Sequence, residues 1–246
     1  MAIKDLLKYL YRRPQHLLIY ALSSFSKDLE MEKMKRILII SPHPDDEVFG
    51  CGMLMNKLVE NHRDVHLVIL SRGEFIVDGT DADADEVVRH RALLTQRAAS
   101  VIGLPTTNIR TFSFPDGNFS DVPASEVTKL YQYIEELQPD TLFYPHPLDG
   151  SPDHCVASKI MGQMKFSWPV DCYHYCVWLW HHMPFCKLFG LDYTNAYLLK
   201  GNIENKREAI KVYAEAKSPE GFLYSGNLPK MFMMAVSWRK ELYFKV

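Results

Sequence analysis

The apolar positions of this chain fall into short continuous runs separated by longer stretches at helical spacing. Residues 37–40 form an apolar run between Lys35-Arg36 and Ser41-Pro42, the pattern of a strand buried on both faces. Helical spacing follows from about 48 to 60, and a second buried run covers 65–70. A polar loop over about 72–84 leads into a helix over 85–102, closed by Gly103 and Pro105 as helices commonly end. The pattern continues with a strand at 109–114, a helix at 124–137 and a strand at 141–144. The remainder is less regular: a Trp/Tyr/His-rich strand-like stretch at 172–182, a helix near 203–216 and a terminal strand over 232–244.

Strands alternating with helices of this length predict right-handed βαβ units, hence an α/β, Rossmann-like three-layer fold with a mostly parallel sheet. Ligands bind such sheets at the carboxyl ends of the strands, which is where the active site is expected. The unusual residues lie there: 42–47 after the first strand, 72–74 after the second, 115–117 after the third and 145–154 after the fourth. A domain over 35–246 and an N-terminal helical arm over 1–34 follow from this reading. The arm sets Ile3, Leu6, Leu7 and Leu10 at helical spacing among Lys4, Lys8, Arg12, Arg13, Tyr9 and Tyr11. It is expected to pack on the domain, with peripheral membrane contact as the alternative. The apolar run at 17–22 is too short for a signal or spanning segment.

Length and charge narrow the classes. A chain of 246 residues, 47% apolar, suits one large domain. Its formal net charge of −2 gives no global case for nucleic acid. Five cysteines without CxxC pairing point to buried thiols in a reducing, cytoplasmic compartment, with membrane association through the arm as the variant.

The chemistry concentrates in Ser41-Pro42-His43-Pro44-Asp45-Asp46-Glu47, one imidazole and three carboxylates in a strand-to-helix turn. Such charge density calls for a compensating cation. Zinc favours His nitrogen and carboxylate oxygen, and a catalytic site keeps one position open for water. His43 and Asp46 can face one ion from a single turn, leaving Asp45 to act on the bound water as general base. The third ligand is expected from Asp149-Gly150-Ser151-Pro152-Asp153-His154, with His154 the candidate and Asp153 a carboxylate that orients an imidazole.

PHPDDE after the first strand and PDH far downstream resemble the PIG-L/LmbE family of zinc N-acetylglucosaminyl deacetylases, over about residues 36 to 216. Ser71-Arg72-Gly73-Glu74, Ile102-Gly103 and Phe114-Pro115-Asp116-Gly117 are similar to further segments of that family. The resemblance implies an amide hydrolase acting on an N-acetylglucosamine-type sugar, free or lipid-linked. It implies His43, Asp46 and His154 as ligands of zinc (or ferrous iron), Asp45 as base, and Arg72 and Asp116 near the sugar. Many family members carry a histidine three residues before the last ligand, where it stabilises the oxyanion. Here that residue is Ser151, and the expected replacement is His146, with His174, His181 and His182 as looser alternatives. Gly52-Met53 stands where the family often has a glycine pair. A homo-oligomer is compatible with the sequence.

Blander readings compete at each point. Asp45-Asp46 can cap a helix, Arg72 and Asp116 can be loop residues, and Tyr173, Tyr175, Trp178 and Trp180 can be core rather than a sugar groove. The acidic run 81–86 lacks the glycine and glutamate of a calcium loop. A nucleotide-binding domain fails on the missing GxGxxG, with acidic residues where a pyrophosphate needs bare amides. A catalytically impaired sugar-binding protein is the remaining alternative, on the strength of Ser151.

Overall fold

A computed structural model describes residues 3–75, 83–188, 190–219 and 221–246. Most of the polar loop after the second predicted strand, with the start of the acidic run, lies outside them. In chain order the elements are α1 (Ile3–Leu22), β1 (Lys27–Asp28), β2 (Arg36–Ser41), α2 (Asp46–Glu60), β3 (Asp64–Ser71), α3 (Ala84–Ile102), β4 (Ile109–Phe114), α4 (Ala124–Leu137), β5 (Thr141–Pro145) and α5 (Pro152–Gln163). Then come β6 (Asp171–Tyr175), the short helices α6 (Leu179–His182) and α7 (Phe185–Leu188), β7 (Ala196–Lys200), α8 (Glu204–Ala214), α9 (Lys230–Val236) and β8 (Lys240–Lys245).

The eight strands form one sheet in the order β1-β7-β8-β6-β5-β2-β3-β4. Only β8 runs antiparallel to its neighbours, β6 and β7. The three-layer α/β architecture with a mostly parallel sheet therefore holds. β2 reads as a continuous apolar run because both of its faces are covered. Ile37 and Ile39 face the core under α2, α3 and α8, while Leu38 and Ile40 face the core under α4 and α5. All four are fully buried, as a central parallel strand requires.

A third apolar cluster seats the N-terminal helix. Ile19 packs with Leu179, Trp180, Met183, Ala235 and Phe244. Gln15 Nε2 donates to Met183 O at 2.9 Å, and His16 Nε2 is 2.9 Å from Trp180 O. Directly after α1 and its trailing turn, β1 pairs with β7, so residues 27–28 belong to the sheet.

Two elements depart from the sequence expectation. The stretch 172–182 is a strand only to Tyr175 and then turns into α6, because the N–H groups of Val177, Trp178 and Leu179 all bond to the Asp149 carboxylate rather than to a neighbouring strand. The apolar run near 232 is helical up to Val236. It buries Met231, Phe232, Ala235 and Val236, one face of a helix entered at Pro229, and the strand begins only at Lys240. Runs this short are ambiguous between the two periods. β7, which sequence periodicity did not reveal, is defined by its ladder with β8. Among the described cysteines, Cys51 and Cys176 are buried and Cys155 and Cys172 are partly so, all free.

Candidate metal centre

The loops after β2, β4 and β5 meet at the carboxyl edge of the sheet. β2 delivers its chain through Pro42 to Asp45, which has φ +120°, and α2 starts at Asp46. A non-glycine residue in that region is strained and needs outside support. Glu47 provides it: its Oε2 accepts from the Asp45 N–H at 3.0 Å and from Ser41 Oγ at 3.3 Å, while Oε1 accepts from Tyr213 O–H at 2.6 Å. The single Ser41 O–H is shared between that carboxylate and the nearer His43 O, 2.8 Å away, which closes the turn from the other side.

Within this frame Asp46 Oδ2 lies 3.0 Å from His43 Nδ1 and 3.0 Å from His154 Nε2. The ligand-type atoms of His43, Asp46 and His154 all fall within 4.8 Å of one another. His154 comes from the first turn of α5, is wholly buried, and has Asp149 Oδ2 2.6 Å from its Nδ1. Its Nε2 is buried without a hydrogen bond. A neutral imidazole donating from Nδ1 turns the Nε2 lone pair toward a carboxylate, an arrangement that requires a proton or a cation between them.

The far nitrogen of His43 is also fixed. Its Nε2 is 3.0 Å from Asp153 Oδ2 and 3.1 Å from Asp116 Oδ1. Asp153 in turn accepts from the N–H groups of Gly117 at 2.8 Å and Phe119 at 3.0 Å, which ties the loop after β4 to the site. Both imidazoles thus have one nitrogen on a carboxylate clamp and the other facing Asp46.

The titration behaviour reflects this crowding. Burial opposes the charged form of His154, but Asp46 and Asp149 override it and raise its pKa to about 9. His43 is likewise raised against its burial by Asp116, Asp153 and Asp46. Asp46 is driven below the usual carboxylate range, since the His154 and His43 charges outweigh its desolvation. Asp45 moves the other way, raised by burial and then by the Asp46 charge, with Arg91 and Ser225 opposing. A donor set of two imidazoles and an ionised carboxylate that already attracts two protons fits a divalent N/O-ligated ion, which would displace them.

A cavity of about 490 Å³ opens over these groups. Asp45, Asp46, Asp116, Ser151 and Trp178 line it, together with Arg91 and His182. The sequence had not singled out Arg91. Its Nε donates to Tyr224 O at 3.0 Å and its Nη1 is 3.9 Å from Asp116 Oδ2. Asp116, expected beside a sugar, lines the cavity while also bonding His43, and it accepts from the Phe75 N–H at 3.0 Å.

Two predicted residues are placed elsewhere. Arg72 is exposed and borders a separate depression beside Thr95 and Thr111. Gly73, at φ +74°, reverses the chain directly against Arg91, where a Cβ would stand 2.4 Å from Arg91 Cδ. The guanidinium that reaches the cavity therefore comes from α3. His146 is buried between the rings of His174 and Phe244, and its Nδ1 accepts from the Leu148 N–H at 3.1 Å. Desolvation lowers its pKa to about 4 and it does not line the cavity. His182, one of the looser alternatives, does. Gly150, at φ +90°, lets it approach, since a Cβ there would lie 2.8 Å from His182 Cβ.

Relatives carry the same architecture. A diacetylchitobiose deacetylase of Thermococcus kodakarensis is 29% identical over 126 residues, 49% of this chain and 45% of the relative's own length. The chain thus spans less than half of that protein. The N,N'-diacetylchitobiose deacetylase of Pyrococcus horikoshii, solved with an inhibitor, superposes with a TM-score of 0.65 at 18% identity, covering 100% of this chain and 93% of that one. The conserved protein TT1542 of Thermus thermophilus gives a TM-score of 0.59 at 24% identity, over 82% and 85% of the two chains. The PIG-L family, described as GlcNAc-PI de-N-acetylase, matches residues 38–165, which hold the PHPDDE turn, the loop after β4 and His154. That stretch is more than half of the sequence, and the chain belongs to the PIG-L family.

Proposed function

We propose that this chain is a metal-dependent amide hydrolase that removes an acetyl group from an N-acetylglucosamine-type sugar in a glycoconjugate, glycolipid or cell-envelope precursor. The observation that carries the reading is the His43, Asp46 and His154 triplet, with His43 and Asp46 on the wall of an open cavity, His154 buried behind them and Asp45 in the same turn. Membership of the PIG-L family and the deacetylase relatives support the substrate class. His43, Asp46 and His154 would hold a zinc or ferrous ion, which when bound would supply an acidified water and Lewis-acid polarisation of the acyl carbonyl.

The protein groups then have distinct tasks. Asp45 accepts the proton of the attacking water and returns it to the leaving amine. His182 takes the oxyanion role that His146 was expected to fill, a reading supported by its place on the cavity wall beside Ser151. Arg91 and Asp116 hold sugar hydroxyls. Asp149 and Asp153 keep the two imidazoles in orientation.

Elemental analysis of the purified protein beside Asp46→Ala and His154→Ala, with amine release from N-acetylglucosamine and diacetylchitobiose on the same samples, tests the reading. The wild type is expected to hold about one equivalent of metal, lost in both variants together with amine release. A wild type that binds no zinc or iron overturns it. For His182→Ala the expected result is retained metal and KM, with kcat lower by about a hundredfold, the usual effect of losing one oxyanion donor.

A further inference from the structure

α6 is four residues long and has little of its own to hold it. The N–H groups of His181 and His182 both reach Trp178 O, and that of Met183 reaches Leu179 O, so the helix closes little more than one turn. A single turn fixes more backbone freedom than its few hydrogen bonds offset. Its place must therefore be set from outside. At its start the Asp149 carboxylate takes the N–H groups of Val177, Trp178 and Leu179. At its end the last carbonyls have no partner within the helix, and two of the carbonyls around its end are met by side chains of α1, 168 and 164 residues away in sequence.

Gln15 Nε2 donates to Met183 O and His16 Nε2 to Trp180 O, each at 2.9 Å. The two acceptors bracket His182, one two residues before it and one directly after. Burial lowers the pKa of His16, and the charge of Arg12 adds to this, so the ring is neutral and carries one proton. The nitrogen that faces a carbonyl is the one that holds it. Gln15 is 1% and His16 3% exposed, so losing either donor leaves a carbonyl unpaired away from water. The support they stand on is itself fixed. Ile19 packs with Leu179, Trp180, Ala235 and Phe244, the rings of His16 and Tyr20 each stand edge-on to Trp238 at 5.6 Å, and Lys240 Nζ of β8 donates to Tyr20 O at 2.7 Å.

What this segment carries gives the two bonds a consequence. Trp178 and His182 line the cavity over the metal triplet, with Trp178 stacked on Phe232 of α9 at 4.1 Å and tilted against His182 at 5.4 Å. Trp178 is held by Asp149 and α9, whereas His182 sits at the end that α1 supports. We propose that Gln15 and His16 are positioning residues of the site: by holding Met183 O and Trp180 O they fix the backbone on both sides of His182 and so set where its imidazole stands at the cavity wall. The further step, from that imidazole to oxyanion stabilisation, rests on the hydrolase reading; the positioning does not.

Substitutions at His16 separate the bond from the packing. His16→Phe keeps a ring against Trp238 and removes the donor, while His16→Gln loses the ring and offers an amide N–H at similar reach. Gln15→Met removes the other donor and guards against a variant that fails to fold. The full-length, zinc-loaded proteins are compared by NMR with isotope-labelled histidine, the His182 imidazole signal being identified by its absence in His182→Ala. We expect that signal to be displaced in His16→Phe and Gln15→Met and restored in His16→Gln. Amine release from diacetylchitobiose on the same samples is expected to show kcat lower by about tenfold in the two donorless variants, with KM unchanged and recovery in His16→Gln, as a small misplacement of a reacting group predicts. An undisplaced His182 signal in the folded donorless variants overturns the proposal. So does equal displacement in His16→Phe and His16→Gln, since ring packing then sets the position. Displacement with unchanged kcat upholds the positioning and removes His182 from the oxyanion role, which keeps failure of the hydrolase reading distinct from failure here.

Discussion

Asp149 is fully buried and serves two structures at once, with Oδ2 against His154 Nδ1 and both oxygens accepting the N–H groups that open α6. Asp149→Asn keeps the shape but replaces a charged acceptor by a neutral amide. Loss of such an outer carboxylate typically lowers metal affinity by about 10–100-fold, and competition with a chromophoric chelator would measure it. A variant with unchanged affinity would mean that His154 is oriented by packing alone. At the same scale, His146 is buried neutral, with a pKa of about 4 against 6.5 in the unfolded chain. The unfolded chain takes up this proton first as the pH falls, so the His146 contribution is complete above pH 6.5 and is lost between there and about 4. At 1.36 kcal/mol per unit this amounts to about 3 kcal/mol at most. Urea unfolding of His146→Phe should show less stability loss than the wild type over that window.

At the scale of elements, the packing of α8 on α2 is anchored by a second buried polar group. Lys206 Nζ donates to Glu241 Oε1 at 2.7 Å and to Phe49 O at 2.9 Å, and Glu241 also accepts from Met53 N–H, Leu54 N–H and Tyr243 O–H. Both side chains are only 2% exposed. Breaking such a pair from one side costs about 3–5 kcal/mol because a charge is left buried. Lys206→Met is therefore expected to lower the urea midpoint sharply, and pairing it with Glu241→Gln to recover part of the loss. Failure of the second change to recover any stability would show that Glu241 is held by its backbone donors rather than by Lys206. The same element scale explains the reading of 172–182 as strand-like. Alternation of aromatic residues marks a strand only while the backbone pairs with a neighbour, and Asp149 captures the backbone from Val177 onward.

For the whole molecule, the alternating βα pattern from 37 to 144 was legible because buried parallel strands are continuous apolar runs and their helices keep a 3.6 period. The PHPDDE turn was legible because three carboxylates and an imidazole at a strand end have no inexpensive structural use. The C-terminal third was less so. β7 and β8 depend on each other for their ladders, and α9 is a seven-residue helix too short for periodicity to decide. Local sequence determined the fold class, the rim of the sheet that carries the chemistry, and the His43, Asp45 and Asp46 turn, since each of these is set by neighbours within a few residues. Only the tertiary structure decided which distant side chains complete that rim. Arg91 and His182 line the cavity while Arg72 and His146 do not, and Asp149 sits behind His154, because of how α3, α6 and the 145–154 loop pack. Residues far apart in sequence meet there through burial and backbone geometry that no local pattern encodes.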